Sequence, residues 1–347
     1  MKNGKIFLIS FILVILSLLL YLFKSFLLVI IIASLMAVAT SNINAKFLHL
    51  TKGHKFFASI LTTSCMVILF FAPFFYTMIE LAKTLKNFDI SLISNTLDYI
   101  KNYQFTLPEG FNFLEPKVKE FLASIDLNNI SKQALNYASS FTKSGAKFLI
   151  DMALICVFYF FANLYGTELV IYLKSIVPVD RNELDDVLSE VGNVMAVVLY
   201  SMVIIAIFQG TLFGIITMFY GYDGILMGAI FAVSSLIPAV GGALVYIPVS
   251  LYEFASNGLN SALVILIYSI VIISFIADTL IKPLIIKWIN KKLVKTPTKI
   301  NELLIFLAMI AGISSFGFWG IILGPAILTF FISTIRMYVI LKDKKLI

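Results

Sequence analysis

Long apolar runs separated by short polar segments dominate the chain. They cover residues 6–23, 26–40, 56–79, 146–165, 194–219, 224–255, 260–281 and 302–340. A helix needs about 20 mainly apolar residues to cross a bilayer. The pattern therefore predicts an all-α polytopic membrane protein. We interpret 6–23 as a retained span, because it exceeds a typical signal-peptide core and no A-x-A cleavage site follows it.

Two of these runs, 224–255 and 302–340, are too long for one ordinary span and contain glycine and proline near their middles. The stretch SSLIPAVGGALVYIPV (234–249) shows the feature most clearly. Inside a helix, Gly costs about 1 kcal/mol and Pro about 3 kcal/mol relative to Ala. Residues of this kind predict a chain reversal, so we expect a helical hairpin in each run.

The distribution of charge predicts the topology. The chain is 60% hydrophobic and 13% charged, with a net charge of +7. Loops 41–55 and 282–301 contain lysines and no acidic residue, and the tail after Arg336 is also lysine-rich. The positive-inside rule places these segments and both termini in the cytoplasm of a bacterial inner-membrane protein. Because the lysines lie between apolar runs, the net charge does not indicate a nucleic-acid partner.

Counting crossings from this orientation gives about six full spans plus two hairpins that enter from opposite faces. Residues 80–145 carry seven Lys and seven acidic residues, so we expect a small external helical domain there, with an amphipathic helix at 117–125. The predicted organisation is N-terminal spans (1–79), this external domain (80–145), a span with a cytoplasmic amphipathic helix (146–193) and a transport core (194–347). The D-x-x-E spacing of Asp180 and Glu183 predicts a helix start in the third segment.

The two hairpins resemble each other in sequence. VSSLIPAVGGALVYIP (233–248) and ISSFGFWGIILGP (313–325) share a Ser-Ser pair, a glycine-containing tip and a following proline. Inverted repeats of this kind place substrate where interrupted helices meet near the midplane. The alternative is that small residues merely permit close helix packing. The candidate pathway residues are Ser234, Ser235, Pro238, Gly241, Gly242, Ser314, Ser315, Gly317 and Gly320.

Two polar residues inside apolar runs complete the candidate site. Gln209 lies deep in 194–219 and needs a hydrogen-bond partner, and Asp278 is an ionisable residue near the end of 260–281. Lys282 follows four residues later, so an ion pair with Asp278 is the structural alternative. Asp151 and Glu253 are weaker candidates that we expect to reach water.

The sequence contains no recognisable enzyme or cofactor motif. H-E-x-x-H, G-x-S-x-G and the P-loop pattern are all absent, so we predict neither an enzyme nor an ATP-driven pump. His49 and His54 lack further clustered ligands, and no metal site or cofactor is expected. Cys65 and Cys156 lie in apolar runs and are predicted to be packing residues.

The chain resembles the autoinducer-2 exporter family of membrane transporters. The resemblance depends on Gln209-Gly210, IPAVGGALVYIP (237–248), ADTLIKP (277–283) and GISSFGFWGIILGP (312–325). Two departures are Thr279, where the family often has Asn, and Gly241-Gly242, where Gly-Pro is frequent. The resemblance implies export of a small signalling molecule in some members, sodium or lithium exchange for protons in others, and homo-oligomers such as pentamers.

Three hypotheses follow from the sequence. The first is a secondary transporter that exports a small polar molecule. The second is a sodium/proton-type cation antiporter of the same family. The third is a non-transporting membrane scaffold whose region 80–145 binds an external partner. The expected partners are the lipid bilayer, a small-molecule or ion substrate and further copies of the chain.

Overall fold

The structure is a computed structural model that describes residues 2–86, 95–96, 98–99, 120, 127–176, 181–238, 240–292 and 301–343. The described secondary structure is helical, and no strand occurs in it. The helices are α1 (Lys2–Leu22), α2 (Leu27–Ala39), α3 (Ser41–Leu50), α4 (Lys55–Met66), a π-helix (Val67–Phe71), α5 (Ala72–Lys86), α6 (Leu127–Ile176), α7 (Arg181–Met218), α8 (Gly224–Ser235), α9 (Ala243–Asn257), α10 (Leu259–Tyr268), a second π-helix (Ser269–Ile281), α11 (Lys282–Lys292), α12 (Glu302–Phe316), a 3₁₀ turn (Gly317–Trp319) and α13 (Gly320–Asp343). This confirms the predicted all-α fold class.

Within the part of the chain that the structure describes, five apolar helical stretches are long enough to cross a membrane: Lys55–Lys83, Ser144–Tyr172, Leu184–Met218, Leu259–Lys292 and Leu303–Val339. The last of these is folded rather than straight. A Cβ on Gly324 would lie 1.9 Å from the carbonyl oxygen of Ala308, sixteen residues earlier. Only an antiparallel hairpin brings such residues into contact, because a straight helix would separate them by about 24 Å.

The two N-terminal apolar runs form α1 and α2, whose axes differ in direction by 94°. By length and composition they qualify together as one bent pair, and the two separate spans expected from the sequence stay a prediction. Every described side chain of α1, from Ile6 to Leu22, is exposed, whereas six side chains of α2 are buried. In the described chain, α1 therefore contributes no packed face, and its apolar surface requires a lipid environment.

The chain divides into two compact units. The first contains Met1–Val67, Ile150–Tyr200 and Ile289–Ile347, and the second contains Ile68–Leu149 and Ser201–Trp288. The first hairpin (224–255) lies in the second unit, and the second hairpin (302–340) lies in the first. The external domain stays a prediction, since most of 87–126 lies outside the described residues. The predicted helix at 117–125 is described only at Glu120, and the predicted cap Asp180 is not described.

Polar contacts fasten the first unit internally. Thr40 Oγ1 and Tyr159 OH lie 2.5 Å apart, and Tyr200 OH donates to the carbonyl oxygen of Ala39 at 3.0 Å. Arg336 Nη1 donates to both carboxylate oxygens of Glu190, at 2.7 and 2.8 Å. These contacts join α2, α6, α7 and α13 across large sequence separations.

The Thr40–Tyr159 hydrogen bond supplies a modest stability prediction. We expect Tyr159→Phe to lower the free energy of unfolding by about 1 kcal/mol, because side-chain hydrogen bonds between membrane helices average about 0.6 and reach about 1.7 kcal/mol. Reversible unfolding in mixed micelles measures the change. Tyr165→Phe is the matched control, since Tyr165 lies on the same helix and is 59% exposed. Equal stability of the two variants would contradict the assignment.

The second unit has its own apolar core. Phe213, Phe231, Val245, Ile265 and Ile273 form it, and they come from α7, α8, α9, α10 and the second π-helix. The rings of Phe213 and Phe231 stack with centroids 4.5 Å apart. This core holds the first hairpin against α7 and the second π-helix, which are the elements that carry Gln209 and Asp278.

Candidate functional site

Asp278 lies in the second π-helix and is the only acidic residue of the apolar stretch Leu259–Lys292. Its side chain is exposed at the surface of the described chain. π-helical turns are rare and are frequent at functional sites. An ionisable residue in such a stretch is a functional candidate by default.

Gln209 is the partner that holds Asp278. Its side-chain nitrogen Nε2 donates to Asp278 Oδ1 at 3.3 Å and to the carbonyl oxygen of Ile273 at 3.2 Å. Gln209 is only 5% exposed. A buried amide needs such partners, because an unpaired polar group in an apolar interior costs several kcal/mol. The structure therefore brings together the two polar residues that the sequence singled out.

The predicted ion pair between Asp278 and Lys282 does not form. Among the described residues, no lysine or arginine nitrogen lies within 4.0 Å of the Asp278 carboxylate. Lys282 begins α11 with an exposed side chain, and the neighbouring helix α7 supplies the neutral amide of Gln209 instead. The carboxylate is thus oriented by the hydrogen bond from Gln209, and no cationic nitrogen of the described residues lies within ion-pair distance of it.

The tip of the first hairpin is built by backbone contact. α8 ends at Ser235, and turn and bend residues at 236–238 and 240–242 lead into α9. A Cβ on Gly241 would lie 1.8 Å from the carbonyl oxygen of Ser234, and one on Gly242 would lie 3.1 Å from the Phe231 ring. Ser234, Ser235 and Pro238 are partly exposed at this turn. Gly241 is therefore required for folding, whatever further role it has.

Paired glycines set the approach of the first hairpin to α7. A Cβ on Gly214 would lie 2.4 Å from the carbonyl oxygen of Gly224, and one on Gly210 would lie 2.5 Å from that of Gly228. The two helices thus touch backbone to backbone through one G-x-x-x-G pattern on each helix. Small residues at this spacing permit such contact in membrane proteins. This contact was not predicted, although both G-x-x-x-G patterns are visible in the sequence.

The tip of the second hairpin lies in the first unit. Gly317 has a φ angle of +63°, a left-handed conformation that suits glycine, and it ends α12. Ser314, Ser315 and Gly317 are exposed, whereas Gly320 is buried against Gly312. The tip residues of the first hairpin thus lie in the second unit, and those of the second hairpin lie in the first unit. A shared site formed by both tips remains a prediction.

Glu253 differs from its prediction. We expected it to reach water, but it is only 1% exposed. Tyr222 OH donates to Glu253 Oε2 at 2.7 Å, and Asn257 Nδ2 donates to Glu253 Oε1 at 2.9 Å. The prediction failed because the position of Glu253 near a helix end does not reveal that the loop before α8 folds over it. The contact also shows that the two ends of the first hairpin lie side by side.

The remaining candidate residues have side chains of types that can bind metal ions. Asp151 lies in α6 and is partly exposed, and Cys65 and Cys156 are free thiols. Among the described residues, no group of three or more His, Cys, Asp or Glu side chains converges as a metal site would require.

These features define a polytopic α-helical membrane protein with two helical hairpins and a carboxylate–amide pair that joins two apolar helices. The chain belongs to the AI-2E family of transporters, because the family profile described as "AI-2E family transporter" matches residues 8–340. This confirms the resemblance found in the motifs.

Related proteins carry names of the same kind. A Helicobacter pylori (strain J99) protein named "Putative transport protein" is 33% identical over 323 residues, which cover 92% of this chain and 91% of the relative. An Aquifex aeolicus protein with the same name is 25% identical over 260 residues, which cover 71% of this chain and 69% of the relative.

Proposed function

We propose that this protein is a secondary transporter that exports a small polar molecule, of the autoinducer-2 type, across a bacterial inner membrane. In this proposal Asp278 binds the coupling ion, which is a proton or a small cation. The observation that carries the proposal is the Asp278 carboxylate, which accepts from Gln209 at 3.3 Å and which no lysine or arginine nitrogen of the described residues approaches within 4.0 Å.

The electrostatics of the carboxylate support a coupling role. A charged group inside a membrane stretch is costly, so such groups are retained mainly where they serve ion or substrate movement. A neutral amide orients a carboxylate without neutralising it, which leaves the negative charge available to a proton or cation. Carboxylate and amide oxygens are also hard ligands of the kind that bind small cations such as Na⁺.

The hairpin tips supply the chemistry for a polar cargo. Ser234 and Ser235 in the first hairpin, and Ser314 and Ser315 in the second, offer hydroxyl groups next to glycine-rich backbone. Hydroxyls and backbone amides bind polar molecules through hydrogen bonds without requiring charge on the cargo. Members of inverted-repeat transporter folds place substrate at such interrupted helices.

Exchange of Na⁺ or Li⁺ for protons is the second candidate function. It is favoured by the same carboxylate, because one acidic site that binds either a proton or a cation suffices for exchange. The scaffold hypothesis is weaker, because membrane anchoring alone does not require two interrupted hairpins or an oriented carboxylate.

Flux measurements in proteoliposomes test these functions. We expect an imposed proton or sodium gradient to drive accumulation of an autoinducer-2-type signal in vesicles that contain the protein. Exchange of Na⁺ for protons without movement of the signal would select the second candidate. Absence of both fluxes from correctly folded protein would overturn the proposal, and loss of function on deletion of 80–145 alone would favour a scaffold.

The proposed function includes an assembly and an orientation. We propose a homo-oligomer in the inner membrane with both termini in the cytoplasm, as the lysine-rich loops favour. We expect cysteines introduced at position 3 and position 343 to react with an impermeant thiol reagent only after the membrane is opened. Labelling of either position in intact cells would contradict this orientation.

A further inference from the structure

Glu253 closes the base of the first hairpin. Its carboxylate accepts one hydrogen bond at each oxygen, from Tyr222 and from Asn257, and it is almost completely buried. Among the described residues, no lysine or arginine nitrogen lies within 4.0 Å of it. We call Tyr222, Glu253 and Asn257 the base clamp.

The base clamp joins segments that the sequence separates. Tyr222 lies in the loop that follows α7, and Glu253 lies near the end of α9. The next residue, Asp223, starts α8 because its Oδ1 accepts from the backbone nitrogens of Ile225 and Leu226 at 3.0 and 3.1 Å. The clamp therefore fixes where α8 begins relative to the end of α9.

The protonation of Tyr222 suits a permanent donor. Burial raises the pKa of Tyr222, and the hydrogen bond to Glu253 raises it further. The ordinary pKa of tyrosine is about 10. The hydroxyl therefore stays protonated throughout the physiological range, and it can donate to Glu253 at every pH at which a transporter works.

The start of α8 is coupled to the helix that carries Gln209. Gly224 touches Gly214 of α7, and one turn later Gly228 touches Gly210, the residue after Gln209. These contacts are between backbones, so they have no flexible side chain that could absorb a displacement. A shift of α8 therefore acts on the segment from which Gln209 reaches Asp278.

We propose that Glu253 is a positioning residue for ion binding at Asp278. By tying Tyr222 to the end of α9, it holds α8 against α7 and keeps Gln209 in reach of the Asp278 carboxylate. This inference rests on the proposed function, in which Asp278 binds the coupling ion. Glu253 itself touches neither the ion nor the cargo.

Tyr222→Phe tests the clamp, since it removes only the donating oxygen. In gradient-driven flux, we expect the half-saturating concentration of the coupling ion to rise about tenfold, the loss typical of one hydrogen bond to a charged group. The maximal flux should change little, because binding is affected and the transport step is not. Equal shifts in Tyr222→Phe and in its control would overturn the proposal, and so would a fall in maximal flux alone.

The matched control is Tyr252→Phe. The Tyr252 ring lies 6.5 Å from that of Tyr222, centroid to centroid, and the residue is 41% exposed and outside the base clamp. This control also removes a phenolic oxygen, but from a neighbouring tyrosine that is not part of the base clamp. We expect the half-saturating concentration in this variant to match that of the unaltered protein.

Two substitutions at position 253 separate hydrogen bonding from charge. Glu253→Gln keeps a carbonyl oxygen that accepts from Tyr222, so we expect most of the ion affinity to be retained. Glu253→Leu removes both acceptors and should lose at least about tenfold in affinity, the effect expected from one such hydrogen bond. Equal losses in the two variants would show that the negative charge acts directly, which would overturn the positioning role.

A measurement without transport separates this inference from the proposed function. Amide hydrogen exchange of residues 224–257 should be faster in Tyr222→Phe than in Tyr252→Phe, whether or not the protein moves any ion. If the unaltered protein shows no flux but amide exchange is faster in Tyr222→Phe, the proposed transport function is refuted. The structural role of the base clamp is then still supported. Equal exchange in the two variants would refute the clamp itself.

Discussion

Asp278→Asn is expected to reduce ion-coupled flux about 100-fold while leaving the fold intact. Asparagine has the shape of aspartate, and its side-chain oxygen can still accept from Gln209. It carries no negative charge, however, so it binds neither a proton nor a cation at this position. Mutating the outer-shell partners of metal ligands typically costs about 10- to 100-fold in affinity or activity, so we expect loss of the binding carboxylate itself to reach the upper end of this range. Gradient-driven flux in proteoliposomes measures the effect.

Asp151→Asn is the control for this prediction. Asp151 lies near one end of the apolar part of α6, is partly exposed and belongs to the other unit. The same exchange of carboxylate for amide there should leave flux unchanged. If Asp278→Asn and Asp151→Asn both transport at the rate of the unaltered protein, Asp278 has no role in coupling.

Gly214→Ala is expected to destabilise the protein strongly for a substitution that adds a single methyl group. The added Cβ would lie 2.4 Å from the carbonyl oxygen of Gly224, and the contact is backbone on both sides. Overpacking at a close contact costs about 1–3 kcal/mol or more. We therefore expect a fall of about 3 kcal/mol in the free energy of unfolding in micelles, together with loss of flux.

Gly166→Ala is the matched control for the glycine contact. Gly166 also lies within a helix, α6, but a Cβ there would meet no atom within 4 Å. This substitution should be neutral or stabilise the protein by up to about 1 kcal/mol, the helix preference of alanine over glycine. Equal stability of the two alanine variants would show that α7 and α8 do not touch at Gly214.

Much of the fold could be predicted because hydrophobic length and breaking residues act locally. The runs at 194–219 and 302–340 fall on α7 and on the α12–α13 hairpin, with the reversal at Gly317. The N-terminal runs show the limit of this logic. Apolar length predicts a membrane helix, but the 94° bend between α1 and α2 depends on how each packs.

The residues of the candidate site could be predicted from the sequence, but the hydrogen bonds between them could not. Gln209 and Asp278 stood out because polar groups are rare in apolar runs. Their contact with each other could not be predicted, because it depends on which faces of α7 and the second π-helix meet. A four-residue spacing favoured Lys282 as the partner of Asp278, and the fold placed Gln209 there instead.

The burial of Glu253 could not be predicted for a similar reason. Its neighbours Tyr252 and Phe254 suggest an interfacial position, and nothing local indicates that Tyr222, thirty-one residues earlier, reaches it. The glycine contact is different, because two G-x-x-x-G patterns on consecutive apolar runs were a usable signal. They predict that the two helices approach each other more closely than leucine-faced helices could.

Because of the second π-helix, the orientation of Asp278 is expected to depend on the exact number of residues in this segment. A π turn closes its hydrogen bond one residue later than an α turn, so Ser269–Ile281 accommodates residues that an α-helix of equal length could not. Deleting one residue before Asp278 would let the segment tighten into an α-helix. Each residue of an α-helix corresponds to about 100° of rotation. Such a deletion would turn the carboxylate away from Gln209, so indels here are expected to be more damaging than most substitutions.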